Sequence, residues 1–241
     1  MRITREYDVH QISFLPRLFP VNVYLVEEDQ ALTLIDAGMP FSLKGILETA
    51  ASLGKPITTI ILTHAHADHV GALDGLKDAL PDAEVCISSR DAKLLTGDTS
   101  LLPHEPQTPV RGSVPKGIRT KPDRLLKDGD QIGSLVAIAS PGHTPGHMAF
   151  MDTRSRVLIV GDAYQVRGGL AVSGRVRPLF PFPALATWNR EAALASAKRL
   201  AELEPSVLAV GHGRMLRQPA AGMRAAVADA QQRLHPAGGQ R

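Results

Sequence analysis

The stretch Thr63-His64-Ala65-His66-Ala67-Asp68-His69 places four potential metal ligands within six positions. It follows a short apolar, β-branched run at residues 57–62 and precedes an amphipathic pattern at residues 70–80, so it is predicted to connect a buried strand to a helix. Alternate residues of an extended segment point the same way, so His64 and His66 can bind one ion together. Asp68 and His69 lie where the chain turns into the helix and can serve a second ion.

A purely structural interpretation of these histidines is less favourable. Solvated histidines at a helix N-terminus meet an unfavourable dipole when they are charged. Neutral imidazoles and a carboxylate that converge on a metal ion avoid that cost. The motif therefore predicts a metal site at the end of the strand.

Three later strands lead into further residues of the same kind. Apolar runs are found at residues 131–139, 156–160 and 207–210. Each is followed, after a glycine that permits close backbone approach, by one potential ligand: His143, Asp162 and His212. This repeated placement predicts a single two-metal site at one edge of the fold.

The rest of the chain has no regular strand–helix–strand rhythm. Further strands are predicted at residues 8–15, 21–26, 31–35, 84–87 and 147–151. Helices are predicted at residues 41–53, 70–80, 89–95, 187–203 and 219–234. Strands, helices, strands and helices in that order favour two sheets packed face to face with helices outside.

Two segments lack a sustained period. Residues 97–122 contain five prolines and three glycines, and they are too long for an ordinary connector, so they are predicted to form a lid or binding loop. Residues 165–183 are glycine-rich and then rich in proline and phenylalanine, which predicts a substrate loop. Both belong to one predicted domain that spans residues 1–241.

Composition narrows the classes of protein. Apolar residues make up 44% of the 241 positions, which is enough for a sizeable core, and the single Cys86 excludes an intramolecular disulfide and a cysteine metal cluster. The net charge of +3 is dispersed, so no nucleic-acid partner is expected. No secretory leader and no membrane-spanning run is found, so a cytoplasmic protein without a membrane partner is predicted. The oligomeric state stays open, a homodimer included.

These motifs resemble those of the metallo-β-lactamase superfamily, from Leu34-Ile35-Asp36-Ala37-Gly38 to Gly211-His212-Gly213. The resemblance implies an α/β (α+β) fold, a four-layer αββα sandwich. It also implies that His64, His66 and His143 bind one metal, that Asp68, His69 and His212 bind the other, and that Asp162 bridges both.

The same resemblance suggests a branch of the superfamily. True β-lactamases carry a cysteine at the position of Asp162, so lactamase activity is not expected. The bridging aspartate and the stretch His143-Thr144-Pro145-Gly146-His147 are similar to those of glyoxalase II and the lactonases. Glyoxalase II adds a C-terminal domain for glutathione, whereas here only one predicted helix follows His212.

The expected reaction is hydrolysis of a small-molecule ester, thioester or lactone. In this hypothesis a metal-bridging hydroxide attacks the carbonyl, Asp68 holds or relays the proton, and Tyr164 donates a hydrogen bond to substrate or leaving group. Packing alone is an equal alternative for Tyr164. Zinc suits imidazole and carboxylate ligands, although iron and manganese fit the same set.

Three other functions remain open on sequence grounds. They are a mononuclear iron thiol or persulfide dioxygenase of the same fold, a phosphodiesterase, and a non-catalytic metal-binding protein. Oxygen uptake with a thiol substrate distinguishes the first, turnover of bis(p-nitrophenyl) phosphate the second, and absence of turnover the third.

Several neighbouring residues have two interpretations. Asp36 is either a buried support for the ligands or a turn former, and His147 is expected to pack or hydrogen-bond rather than bind metal. Phe180, Phe182 and Trp188 belong either to the core or to the substrate cleft. Arginines in the two irregular segments are compatible with an anionic end of the substrate: Arg111, Arg119, Arg167, Arg175 and Arg177.

Overall fold

The apolar strands assemble into two main β-sheets in the computed structural model, which describes residues 1–236. The predicted domain extends beyond that part, and residues 237–241 are not described. The first sheet has seven strands, neighbours in chain order: β1 (Arg2–Glu6), β2 (Val9–Phe14), β3 (Val21–Glu27), β4 (Leu32–Ile35), β5 (Ile57–Ile61), β6 (Glu84–Ser88) and β7 (Arg124–Leu126). Strands β1 to β4 pair antiparallel, and β4 to β7 pair parallel.

The second sheet has six strands in the order β15-β14-β11-β10-β9-β8. Their bounds are β8 (Gln131–Ile132), β9 (Leu135–Ala139), β10 (Met148–Asp152), β11 (Val157–Ile159), β14 (Val207–Ala209) and β15 (Leu216–Arg217). All neighbours pair antiparallel except β11 and β14. Two short strands, β12 (Tyr164–Gln165) and β13 (Ala171–Val172), form a separate ladder.

The described part of the chain contains seven α-helices. They are α1 (Leu43–Leu53), α2 (Ala67–Val70), α3 (Leu73–Ala79), α4 (Asp91–Leu95), α5 (Phe182–Leu185), α6 (Arg190–Glu202) and α7 (Ala220–Leu234). A 3-10 turn at Pro40–Ser42 leads into α1, which ends at Gly54 with a left-handed φ of 70°. Helix α6 begins at Asn189, whose side chain accepts a hydrogen bond from the Ala192 N–H.

Three apolar cores show how the layers stack. The outer faces of the two sheets pack on helices, α1, α3 and α4 on the first and α6 and α7 on the second. The middle core joins the two sheets, and Phe150 and Tyr24 are among its largest buried side chains. Strand β3 is buried on both faces, because Leu25 contacts the helix side and Tyr24 the sheet side. This arrangement confirms the predicted αββα sandwich.

Two predicted elements are divided in the structure. The helix expected at residues 70–80 breaks between α2 and α3, where Gly71 lies so close to Gly38 that an added Cβ would be 2.8 Å from the Gly38 carbonyl oxygen. The strand expected at residues 131–139 is a hairpin, because Gly133, with a φ of 56°, turns the chain between β8 and β9.

Other differences concern irregular and short segments. Residues 165–183 are not wholly irregular, because they contain β13 and the start of α5. Residues 97–122 contain no helix or strand, as predicted. Strands β1, β7 and β15 were not predicted, and each lies at or near a sheet edge, where fewer side chains are buried. Among residues 1–236, no helix is both long and apolar enough to cross a membrane.

Candidate metal centre

The seven predicted ligands meet at one edge of the sandwich. Strand β5 ends before His64 and His66, the β9–β10 loop carries His143, β11 ends before Asp162, and β14 ends before His212. Three overlapping groups have ligand atoms within 4.8 Å of one another: His64, His66 and His143; His64, His69 and Asp162; and Asp68, His69 and His212. Of the seven residues, only Asp68 is not fully buried.

Asp162 lies between the groups. Its Oδ2 is 3.3 Å from His143 Nε2 and 3.2 Å from His212 Nε2, and its Oδ1 is 3.5 Å from His69 Nε2. Asp68 Oδ2 is 3.4 Å from His212 Nε2. Asp162 thus occupies the place expected of a bridging carboxylate.

Each of the five histidines has one ring nitrogen bound to a partner on the outside of the cluster. The pairs are His64 Nδ1 with Thr63 Oγ1 at 3.0 Å, His66 Nε2 with the Arg111 carbonyl at 2.9 Å, His69 Nδ1 with Asp36 Oδ2 at 2.8 Å, His143 Nδ1 with Ser173 Oγ at 3.0 Å, and His212 Nδ1 with the Pro20 carbonyl at 2.6 Å. Carbonyl and carboxylate partners can only accept, so in those pairs the outer nitrogen carries the proton. The other ring nitrogen then faces the centre, where its lone pair is available to a metal ion once any proton on it is lost.

The inner atoms of the cluster fit a bound cation. His64 Nε2, His69 Nε2 and Asp162 Oδ1 are buried and have no hydrogen-bond partner. Leaving a buried polar atom unpaired costs about 1–3 kcal/mol, and here three such atoms face one another. His66 Nδ1, whose ring is protonated at Nε2, lies 2.9 Å from His143 Nε2, so one cation could bind both nitrogens. Divalent cations would satisfy these atoms together.

The charges of the cluster also favour cations. Burial lowers the pKa of His64 and of His143 well below the usual range, so both rings are neutral. Burial opposes the charge of His212 as well, but ion pairs with Asp162 and Asp68 outweigh it and raise its pKa to about 10. Burial disfavours ionised Asp162 too, yet His212, His69 and His143 hold its pKa well below the usual range. In the absence of an ion, protons on the histidines therefore balance the carboxylates.

Asp36 supports the ligand His69 and the residue that precedes the ligand His64. Its carboxylate accepts hydrogen bonds from the Thr63 N–H at 2.7 Å and from the Thr63 hydroxyl, and it binds His69 Nδ1. It adopts a φ of 62°, a conformation that costs most side chains energy but that aspartate tolerates. Of its two sequence-based interpretations, the supporting one is confirmed by these contacts.

Asp91 is a buried support that the sequence did not reveal. Its carboxylate accepts from the Ala65 N–H at 3.1 Å, the Thr144 hydroxyl at 2.6 Å and the Gly146 N–H at 2.7 Å. It thereby joins the His64–His66 loop to the loop that carries His143. Burial raises its pKa to about 6 in spite of these bonds. Its position in a polar helix start gave no signal, since such residues are common helix caps.

His147 has no metal-ligand position, in agreement with its predicted hydrogen-bonding role. Its Nδ1 binds Ser140 Oγ at 2.8 Å, and its Nε2 accepts from the Asp162 N–H at 3.1 Å. Burial lowers the pKa of His147 to about 3, so the ring stays neutral and can accept. His147 therefore fixes the backbone of the bridging carboxylate.

Known proteins share this fold. A family model described as the metallo-beta-lactamase superfamily matches residues 16–212. This chain belongs to that superfamily. The resemblance found in the sequence is confirmed at this level, while the glyoxalase II or lactonase branch stays a prediction.

Three relatives from the comparisons are informative. The chain is 59% identical over 227 residues to the uncharacterized protein YobT of Bacillus subtilis (strain 168), covering 94% of this chain and 97% of YobT. It is 34% identical to the probable metallo-hydrolase YflN of the same strain, covering 80% of each chain. The crystal structure of TTHA1623 in a di-iron-bound form matches with a TM-score of 0.64 and 29% identity, covering 88% of this chain and 96% of that one.

The ligand cluster opens into a cavity of about 450 Å³. Asp68, Asp162 and three ligand histidines line its floor. Its walls are mostly apolar: Phe19, Met39, Ala67, Gly112, Ser113, Phe182, Pro183, Leu185 and Ala186. Both irregular segments contribute, so their position at the cavity agrees with the predicted loops, although closure as a lid stays a prediction.

The arginines expected to meet an anionic end of the substrate do not line this cavity. No lysine or arginine of the described residues lines it. Four of the five arginines proposed to meet an anionic substrate bind elsewhere, Arg119 to Asp78, Arg175 to Asp229, Arg167 to the Arg17 carbonyl and Arg177 to the Leu170 carbonyl. The anionic end of a substrate therefore has no counter-charge from these arginines in the cavity.

Tyr164 is not at the cavity either. Its side chain is fully buried in the core under helix α6, and its hydroxyl donates to the Ala197 carbonyl at 2.7 Å. Burial raises the pKa of this hydroxyl above its usual range. The catalytic role proposed for Tyr164 is therefore replaced by the packing alternative. Of the three aromatic residues left open, Phe182 lines the cavity, whereas Phe180 and Trp188 are buried.

Proposed function

We propose that this chain is a dinuclear metal-dependent hydrolase that acts on a small ester, thioester or lactone with an uncharged, apolar part. The observation that carries the proposal is the orientation of five histidines, each tied outward through one ring nitrogen so that the other meets two carboxylates in a buried cluster. A hydrogen bond from the ring nitrogen that does not bind the metal is typical of metal-ligating histidines.

The side chains would divide into two sets around the ions. His64, His66 and His143 would hold one, and Asp68, His69 and His212 the other, with Asp162 between them. When bound, two divalent cations supply water of lowered pKa and polarise a carbonyl or leaving oxygen. Zinc is the metal we propose, and iron is compatible because TTHA1623 was solved in a di-iron-bound form.

Asp68 is the protein's own proton-handling group in this proposal. It is the ligand that is partly open to the cavity, and its carboxylate faces His212 and His69. Burial opposes ionisation of Asp68, but these two histidines outweigh it and lower the pKa, so the carboxylate is ionised and able to accept a proton. We propose that Asp68 receives the proton of the attacking water and returns it to the leaving group.

The walls of the cavity indicate the substrate class. Four large apolar side chains, Phe19, Met39, Phe182 and Leu185, would surround the part of the substrate that does not react. A charged group there would lose hydration without gaining an ion pair. We therefore propose neutral acyl groups rather than glutathione-like tails as the preferred partners of the site.

A substrate panel tests the proposal directly. The zinc-loaded chain should hydrolyse at least one neutral aryl ester, thioester or lactone, and a thioester of similar size with a carboxylate on the acyl group should be about tenfold slower. His66→Ala should abolish turnover. The matched control is His10→Ala, which removes another buried histidine, one paired with Glu27.

The alternative reactions provide the contradicting outcomes. Turnover of bis(p-nitrophenyl) phosphate without turnover of any carbonyl substrate would replace this proposal with a phosphodiesterase. Oxygen uptake with a thiol or persulfide substrate would replace it with the dioxygenase.

A further inference from the structure

The mouth of the cavity carries an unusual set of exposed apolar side chains. Leu18, Leu179, Phe182 and Leu185, here called the mouth patch, are 80%, 84%, 52% and 58% exposed. Phe182 and Leu185 also line the cavity. Leucines this exposed are rarely clustered on the surface of a protein that contacts only water.

Contacts beneath the patch hold its members together. The rings of Phe19, Phe180 and Phe182 pack with centroids 5.1–5.3 Å apart, and Leu18 and Leu179 are the chain neighbours of the first two. A Cβ placed on Gly168 would lie 3.4 Å from Leu179 Cβ. These ring contacts bring residues 15–19 and 179–185, which carry the patch, next to each other.

The surroundings of the patch are basic. Residues 15–19 and 166–186 contain no Asp or Glu and four arginines: Arg17, Arg167, Arg175 and Arg177. Arg175 pairs with Asp229. The Arg167 guanidinium donates to the Arg17 carbonyl, which is a neutral partner and does not neutralise its charge. A polar cleft of about 270 Å³ adjoins the patch through Arg167 and is also lined by Arg2 and Arg214, with no carboxylate in its lining.

We propose that the mouth patch docks this protein on the surface of an anionic lipid bilayer, with the cavity opening toward the lipid. Exposed leucine and phenylalanine side chains insert into the boundary between headgroups and acyl chains, and flanking arginines bind the anionic headgroups. The enzyme would then receive amphiphilic substrates directly from the bilayer.

The charges favour this partner over a second copy of the chain. A symmetric dimer through the mouth patch would place the same arginines opposite themselves, and like charges across an interface are unfavourable. An anionic surface instead complements both parts of the patch. The sequence predicted no membrane partner, because its criterion was a spanning segment and the patch is assembled from two segments far apart in the chain.

Vesicle co-sedimentation of the metal-loaded chain tests the proposal. Its affinity for vesicles of phosphatidylglycerol and phosphatidylcholine should be at least about tenfold higher than its affinity for phosphatidylcholine alone. High salt should lower the affinity for the mixed vesicles. The double variant Leu18→Ser/Leu179→Ser should bind at least about tenfold more weakly, since two leucines lose their insertion. Arg17→Gln/Arg214→Gln should weaken binding to the anionic vesicles only.

Matched controls separate this patch from general surface effects. Leu125→Ser removes a leucine that is 51% exposed on strand β7, and Lys44→Gln/Lys198→Gln removes two exposed positive charges on α1 and α6. Both controls should bind like the wild type. Leu18→Ser/Leu179→Ser should keep wild-type hydrolysis of a water-soluble ester, because neither leucine lines the cavity.

Three outcomes would overturn the proposal. They are no binding to anionic vesicles, equal losses in the control variants, and a wild-type dimer in light scattering that Leu18→Ser/Leu179→Ser dissociates. Because vesicle binding is measured without any substrate, its failure is distinguishable from a failure of the proposed hydrolase activity.

Discussion

The buried carboxylate of Asp91 joins the two loops that carry His64, His66 and His143. Sequence patterns identified the residues that point into the cluster, because ligand types followed strand ends. Asp91 escaped notice because its partners are two backbone N–H groups and a hydroxyl that are distant in sequence. Tyr164 was overestimated for the opposite reason, since nearness to Asp162 in the chain did not place it at the cavity.

Replacing Asp91 with asparagine should loosen both ligand-bearing loops. The amide cannot accept all three hydrogen bonds, so we expect Asp91→Asn to lower zinc affinity or kcat/KM about 10- to 100-fold. The control is Asp152→Asn, another buried carboxylate that accepts bonds from Ser155 and Arg154 but lies far from the cluster. Both variants should melt at lower temperature, and equal zinc affinities would contradict the role of Asp91.

Metal binding should release protons from the ligand histidines. In spite of burial, carboxylate neighbours raise the pKa of His69 well above 6.5 and that of His212 to about 10, so both rings are protonated at pH 7 in the metal-free protein. Binding a cation requires their loss, so zinc affinity should rise with pH. Calorimetry in buffers of different ionisation enthalpy should detect about two protons released per chain at pH 7. If no proton is released, His69 and His212 are not protonated in the metal-free protein at pH 7.

The irregular segment 97–122 supports the metal site through backbone hydrogen bonds rather than through a helix or strand. Residues 111–113 hold the His66 loop through two bonds, from His66 Nε2 to the Arg111 carbonyl and from the Ala67 N–H to the Ser113 carbonyl. Between them Gly112 has a φ of 90°, and an added Cβ would lie 2.3 Å from His66 Nε2.

An alanine at position 112 should therefore displace a metal ligand. Gly112→Ala adds about 1–2 kcal/mol of backbone strain and a clash with His66, so we expect at least about tenfold lower zinc affinity. The matched control is Gly117→Ala, in the same segment with a φ of 84° and no atom within 4 Å of the added Cβ. That control should share the loss of stability and keep zinc affinity, and equal affinities for both variants would contradict the account.

The predicted elements were most accurate where the apolar pattern has one interpretation. Strand β3 and helix α7 agree with expectation to within one residue, because burial on both faces gives β3 a nearly continuous apolar run and burial of one face gives α7 a helical period. The hairpin at Gly133 and the break at Gly71 depend on local turn geometry and on contact with a distant segment. Apolar patterning carries little information about either.

At the scale of the whole molecule, strand ends explain why the site could be predicted. The ligand-bearing loops after the parallel strands β5, β11 and β14 emerge at one edge of the two sheets, so residues far apart in sequence had to converge. The mouth patch and the uncharged cavity wall could not be predicted this way. They depend on how residues 15–19, 97–122 and 165–186 fold over that edge.

Elemental analysis would show whether the seven ligand side chains hold two metal ions. We would measure metal content per folded chain, purified without added metal, for the wild type, Asp162→Ala and the control Asp152→Ala. Asp162 contacts three of the ligand histidines, whereas Asp152 contacts none. We expect about two ions per chain in the wild type and control, with a clear fall in Asp162→Ala. One ion or none in the wild type, or two retained in Asp162→Ala, would refute a two-metal site held by these side chains.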